Sequence, residues 1–227
     1  MSDQFIPLLD EQQIFTFLES RFGKLNGICI TGGEPLLQKD ISQFITHMKA
    51  LGFDVKLDTN GSFPDKLEEI IKEGEVGYIA MDIKGTLEKY PLISNFQSFD
   101  NLRTGFPISN ELSNSKSPNE HLKNERLNEN WQMKNEKLIK NIQKSIKLIM
   151  NSGIPYEFRT TVAHPLHEVK DFEGIGEMIR GADKYFIQNF VHSKHINSAI
   201  DYQPFTDKEL KDAKKIMKKY VKEVEVR

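Results

Sequence analysis

"ICITGGEPLLQKD", residues 28–40, joins a short hydrophobic run to a loop holding two adjacent glycines, an acid and a proline, and then to the start of a helix. Ile28, Cys29 and Ile30 read as a buried strand, Cys29 as a small core residue, and Asp40 as the cap of the helix that follows. The unit recurs along the chain. "FDVKLDTNG" (53–61) reads as a strand ending in a turn, and "PDKLEEIIKEG" (64–74) as a helix with Pro64 in its first turn and Gly74 past its last. "VGYIAMDIKG" (76–85), "YEFRTTV" (156–162) and "KYFIQNF" (184–190) are three more strands. Helices are expected over 10–22, from Ile14, Phe15, Leu18 and Phe22, over 41–51, from Ile41, Phe44, Ile45, Met48 and Leu51, and around 168–180. Strands alternating with helices argue for α/β architecture with a parallel sheet, doubly wound or curved into a barrel.

Composition sets the class. The chain has 227 residues, 38% hydrophobic and 28% charged, enough for a single domain over 1–227 with a substantial core. A net charge of −2 argues against a nucleic-acid partner, and no apolar stretch reaches membrane-spanning length. The N-terminus has no secretory pattern, and a single cysteine suits a reducing cytoplasm and excludes an all-cysteine metal site built by this chain alone. Residues 109–137 depart from the alternation. They are mostly Ser, Asn, Glu and Lys, and "KNERL" (123–127) returns as "KNEKL" (134–138). They read as a low-complexity insertion, a solvated loop or half-formed helix. The segment 206–222 reads as a basic amphipathic helix, with Lys208, Lys211, Lys215, Lys218 and Lys222 on one face and Leu210, Ala213, Met217, Tyr220 and Val224 on or near another.

In parallel α/β folds ligands gather at the C-terminal ends of the strands. Here those ends read Thr31-Gly32-Gly33-Glu34-Pro35, then Asp58-Thr59-Asn60-Gly61, then Met81-Asp82-Ile83-Lys84, then Arg159-Thr160-Thr161 and finally Gln188-Asn189-Phe190 followed by His192. Each stretch alone could be a turn or a strand-end ion pair. In this order, one helix apart, they read as a site. The glycines permit close approach of a ligand, and the Glu34 carboxylate could hold an ammonium. "HPLH" (164–167) and "HSKH" (192–195) could in principle hold metal, but no acidic ligand stands beside both pairs.

"ITGGEPLLQKD", "GFDVKLDTNGS" and "YIAMDIKG", with "GIPYEFRTTV" as later support, resemble the radical S-adenosylmethionine superfamily, and within it the activating enzymes of anaerobic ribonucleoside-triphosphate reductases. The resemblance covers about residues 10–95 and 140–190. It implies a partial (β/α)6 barrel of parallel strands, with S-adenosylmethionine and a [4Fe–4S] cluster as cofactors. It implies generation of a glycyl radical on the reductase through a 5′-deoxyadenosyl radical, with an electron donor such as flavodoxin or ferredoxin. By resemblance Gly32, Gly33, Glu34 and Pro35 meet the cofactor's amino group, and Thr31, Asn60, Arg159 and His192 join the cofactor site. Asp58, Thr59, Met81 and Asp82 lie around the cofactor and a monovalent cation. Asp82 and Lys84 are the catalytic candidates, Lys84 near the reacting glycine or the cofactor. The family's three cluster cysteines, in a CxxxCxxC loop after the first strand, have no counterpart here, so that loop and first strand are expected to be missing. Two origins stand open. A start further upstream is favoured, because "CIT" carries no charge or proline to blunt an exposed edge. The alternative is a cluster-free protein that binds S-adenosylmethionine or a nucleotide in the same pocket.

Overall fold

A computed structural model describes residues 10–99, 118–192 and 201–227. Six strands, β1 (Gly27–Ile30), β2 (Asp54–Thr59), β3 (Tyr78–Asp82), β4 (Tyr156–Val162), β5 (Lys184–Asn189) and β6 (Glu223–Val226), form one all-parallel sheet in the order of the chain. Its helices are α1 (Glu11–Glu19), α2 (Ile41–Ala50), α3 (Pro64–Glu73), α4 (Tyr90–Phe99), α5 (Pro118–Met150), α6 (Asp171–Met178) and α7 (Asp207–Met217). The result is an α/β partial barrel of six parallel strands.

The pairing register sorts the side chains onto two faces. Val55 and Leu57 of β2, Ile79 and Met81 of β3, Phe158 of β4, Tyr185 and Ile187 of β5 and Val224 of β6 share the helix-covered face. They form one buried cluster with Ile45 and Met48 of α2, Leu67 and Ile70 of α3, Ile142, Ile146 and Ile149 of α5, and Leu210 and Met217 of α7. Burial of that apolar area is the main force closing the fold. The opposite, concave face is polar: Lys56 and Asp58, Tyr78 and Asp82, Glu157 and Arg159 succeed one another across β2, β3 and β4. Only Ala80 interrupts them.

Local chemistry accounts for most element ends. Asp10 caps α1 in a reciprocal box with Gln13, Pro64 opens α3, Gly74 closes it in the left-handed region, and Thr206 and Glu209 box the start of α7. Four expectations from the sequence change. Asp40 precedes α2 but makes no side-chain cap. Phe22 lies beyond α1 and is exposed. Cys29 is exposed: β1 is an edge strand whose Ile28 and Ile30 are partly buried against the core, while Cys29 faces the other side. The 206–222 helix stops at Met217; Lys218 caps it, Lys222 pairs with Asp183, and Val224 belongs to β6. Within 109–137, residues 118–137 continue into α5, and 109–117 lie outside the described residues.

Candidate functional site

The TGGEP loop leaves the end of β1 and turns at Gly32, whose φ of +136° disfavours any side chain. A Cβ built on Gly32 or Gly33 would meet nothing within 4 Å, so the backbone here borders open space. Glu34 holds the loop down. Its buried carboxylate accepts hydrogen bonds from the Leu36 N–H (3.1 Å), the Thr59 hydroxyl (2.9 Å) and the Asn60 N–H (2.6 Å). Burial pushes the Glu34 carboxyl above its usual range, and these three donors work against that shift. Pro35 then opens a 3-10 turn in which Pro35 and Leu36 are buried and Leu37 is exposed. The DTNG turn is fixed from its other side. The Asn60 side chain accepts from the Ser62 N–H, while Asn141 and Ser145 of α5 donate to the carbonyls of Ser62 and Gly61. Gly61 has φ +76°, and a Cβ there would collide with Met81.

The exit of β3 is pinned by three side chains from three different elements. The Tyr90 hydroxyl of α4 donates to the Asp82 carbonyl (3.2 Å), the Thr160 hydroxyl of β4 to that of Ile83 (2.8 Å), and His167 Nε2 to that of Lys84 (2.9 Å). His167 Nδ1 accepts from the Ala163 N–H at 3.3 Å, which sets the ring as the neutral Nε2–H tautomer. Burial holds its pKa below the ordinary histidine value, although both backbone hydrogen bonds oppose this. The segment carrying Asp82 and Lys84 is thereby rigid, and the Lys84 ammonium stands 3.5 Å from Asp82 Oδ2.

Arg159 joins two strand ends. Its Nη2 donates to Asp58 Oδ2 (2.9 Å) and its Nε to Asp82 Oδ1 (2.5 Å). Burial opposes the guanidinium charge, but Asp82 and Asp58 more than offset it and hold the pKa above the arginine value. Burial likewise raises Asp58, and Arg159 with Lys56 carries it net below the usual carboxylate range. Deeper in the concave face the buried Glu157 accepts from the Tyr78 hydroxyl (3.1 Å) and meets Lys56 Nζ (3.5 Å) and Arg227 Nη1 (3.6 Å). Burial and Glu157 push Tyr78 up to about 12. Cys29 lies on the same side beside Asp58; burial first and then that carboxylate raise its thiol.

A cavity of about 340 Å³ opens beside this cluster, lined by Asp82, Lys84, Thr161, His167, Phe190 and Tyr202 among others. Its mixture of two aromatic rings, aliphatic walls and a few polar groups suits a small organic ligand. Of the residues marked in the sequence, Thr59, Asn60 and Glu34 meet directly, and so do Asp58, Arg159 and Asp82, with Lys84 alongside. Thr31 is exposed at the loop entrance, Met81 sits in the core, and His192 is exposed with its ring edge-on to Phe190 at 5.0 Å. The "HPLH" histidines separate: His164 bonds Glu209 at 3.1 Å and stacks on Phe205, while His167 turns to Lys84. His195 lies outside the described residues. The sequence reading missed Tyr90, Glu157 and Tyr202, and gave His167 no part in holding Lys84, since only the tertiary contact reveals what it grips.

The open glycine backbone, the acids and the lysine at the strand ends fit an S-adenosylmethionine molecule. The cluster is different. Cys29 is the one thiol of the chain, set in the middle of a strand, and no group of three or more His, Cys, Asp or Glu among the described residues is placed to hold a metal ion. These residues do not fit a three-thiolate site.

The pattern described as the Radical SAM superfamily matches residues 6–105. A Methanocaldococcus jannaschii protein provisionally named a glycyl-radical enzyme activating enzyme is 29% identical over 218 residues, which is 95% of this chain and 75% of the relative. A Pyrococcus horikoshii protein provisionally named a GTP 3′,8-cyclase is 33% identical over 95 residues, 41% of this chain and 30% of the relative. Among solved structures, a domain of pyruvate-formate lyase-activating enzyme from Bacteroides vulgatus superimposes with a TM-score of 0.55 at 15% identity, covering 89% of this chain and 99% of that one, a likeness of fold. The residues that match this pattern build β1, β2 and β3 with the loops at their ends, so the chain is similar in sequence to Radical SAM proteins over its first three strands and similar in fold over most of its length.

Proposed function

We propose that this chain is the S-adenosylmethionine-binding barrel of a glycyl-radical enzyme activase, and that its target is an anaerobic ribonucleoside-triphosphate reductase. The observation that carries the reading is the physical joining of three motif segments: Glu34 of the TGGEP loop to Thr59 and Asn60, and Asp58 to Asp82 through Arg159. The relative named for glycyl-radical enzyme activation, similar along nearly the whole chain, supports the partner class.

In this reading Gly32 and Gly33 give the cofactor's amino group a bare backbone, with Thr31 and Pro35 shaping the loop. Glu34, Thr59 and Asn60 fix that loop against β2. Asp58 and Asp82 offer acceptors, Lys84 offers a cation for a carboxylate, and His192 borders the cofactor from the end of β5. S-adenosylmethionine, when bound and reduced, supplies hydrogen-atom abstraction. The chain's residues position it and keep competing donors away. An electron donor such as flavodoxin or ferredoxin would be the redox partner in this reading, and the residues of this chain would hold S-adenosylmethionine without supplying the thiolates for a cluster.

A second reading is favoured by that same thiol count: a cluster-free protein that binds S-adenosylmethionine or a nucleotide without turnover. Titration calorimetry with S-adenosylmethionine tests the shared core of both. Binding is expected in the native chain and is expected to be lost in Gly33→Leu and Asp82→Ala. A folded native chain that takes up no heat sinks the proposal. Formation of 5′-deoxyadenosine by this chain alone under reduction would eliminate the cluster-free reading.

A further inference from the structure

The resemblance places a monovalent cation among Asp58, Thr59, Met81 and Asp82, and the geometry points elsewhere. We propose that Arg159 is itself the cation that joins Asp58 to Asp82, so that this site neither needs nor takes a monovalent metal ion. The inference deepens the reading of the strand ends as a cofactor site and rests on it only for its binding readout.

The register builds the bridge. Arg159 of β4 lies opposite Asp82 of β3, while Asp58 of β2 lies opposite Ala80, one turn of the pleat lower on the same face. Ala80 presents only a methyl group, so the guanidinium can cross β3 and reach β2. Its forked donors meet one oxygen of each acid, at 2.9 Å on Asp58 and 2.5 Å on Asp82, a geometry a compact ammonium cannot reproduce.

The two remaining oxygens also face side-chain cations. Asp58 Oδ1, buried and without a hydrogen bond, looks to Lys56 Nζ at 3.5 Å, and Asp82 Oδ2 to Lys84 Nζ at 3.5 Å. Counting Glu157, three acids face four cations, Lys56, Lys84, Arg159 and Arg227, so the cluster has no unpaired negative charge for an added ion to balance. A metal ion would stand in contact with a half-buried guanidinium and add to the positive charge already gathered there. The other expected positions are engaged too. The Thr59 hydroxyl donates to Glu34, and the Met81 side chain is packed in the core. Arg159 is therefore a positioning residue: it sets the spacing and direction of two acids that would receive the cofactor.

The test compares potassium, sodium and choline chlorides at one ionic strength, with thermal melting of the ligand-free chain and calorimetry of S-adenosylmethionine as readouts. The native chain is expected to give the same melting temperature and affinity in all three. Arg159→Gln is expected to melt lower, to bind about tenfold more weakly, and to recover in potassium or with low guanidinium, because the two acids then require an outside cation. Arg159→Lys is expected to retain part of the stability. A native chain whose melting or affinity depends on potassium overturns the proposal, as does an Arg159→Gln variant weakened equally in every salt and unmoved by guanidinium. If the native chain binds no S-adenosylmethionine in any salt, the functional reading fails, while the melting curves still decide the arginine.

Discussion

At Glu34 a single carboxylate closes three hydrogen bonds that would otherwise be buried donors without acceptors, and this makes the glycine loop part of the sheet rather than an appendage. Glu34→Ala removes all three acceptors and is expected to cost on the order of 2–3 kcal/mol by urea unfolding. Gly33→Leu, facing open space, is expected to leave stability unchanged. That contrast would separate a clamp from a contact surface. Cys29 provides a second residue-scale check. Exposed on an edge strand, it is expected to react with a thiol reagent in the native state, yet more slowly at neutral pH than a free cysteine, because burial and Asp58 raise its pKa. A thiol that reacts only after unfolding would contradict the placement. The sequence makes Glu34 and the glycines legible through their pattern. It marks Arg159 at a strand end but hides its role as a bridge, because its two partners lie on other strands and are found only once the register is known.

The exit of β3 shows how an element is held by its neighbours. Tyr90, Thr160 and His167 each satisfy one of three successive carbonyls, and His167 can accept the Ala163 N–H at Nδ1 as well only while neutral. Its folded pKa is depressed, so the unfolded chain takes up the proton first. Stability from this group is fully present above the unfolded value of about 6.5 and is lost as pH falls through the folded value. Thermal melts of the native chain are expected to drop on acidification from neutrality to pH of about 5, and His167→Asn to drop less. Parallel curves would refute the role. Among whole elements, β2, α3, β4 and β5 were readable because alternation, Pro64 and Gly74 mark them. β6 was not: it has four residues, of which Val224 alone is buried. In α5 the low-complexity repeats ahead of it obscured the run of Ile142, Ile146 and Ile149, which packs against the sheet. Ile146→Ala is expected to cost about 2–5 kcal/mol in urea, as befits a core position rather than a solvated insertion.

Across the whole molecule one sheet separates two kinds of chemistry. Its helix-covered face carries the apolar core, and its concave face carries paired charges that rise from Glu157 through Arg159 to Asp82 and Lys84. In β2 buried positions alternate with more exposed ones, which divides the sheet into two faces. Which face would gather the acids depended on the helices, and thus on tertiary packing. The central claim is that the C-terminal ends of β1, β2 and β3 form one cofactor site. Hydrogen–deuterium exchange of the native chain with and without S-adenosylmethionine tests it most directly. Slower exchange confined to the backbone of residues 31–37, 58–62 and 82–86 is the predicted result. Unchanged exchange there, or protection centred on another part of the barrel, would contradict it.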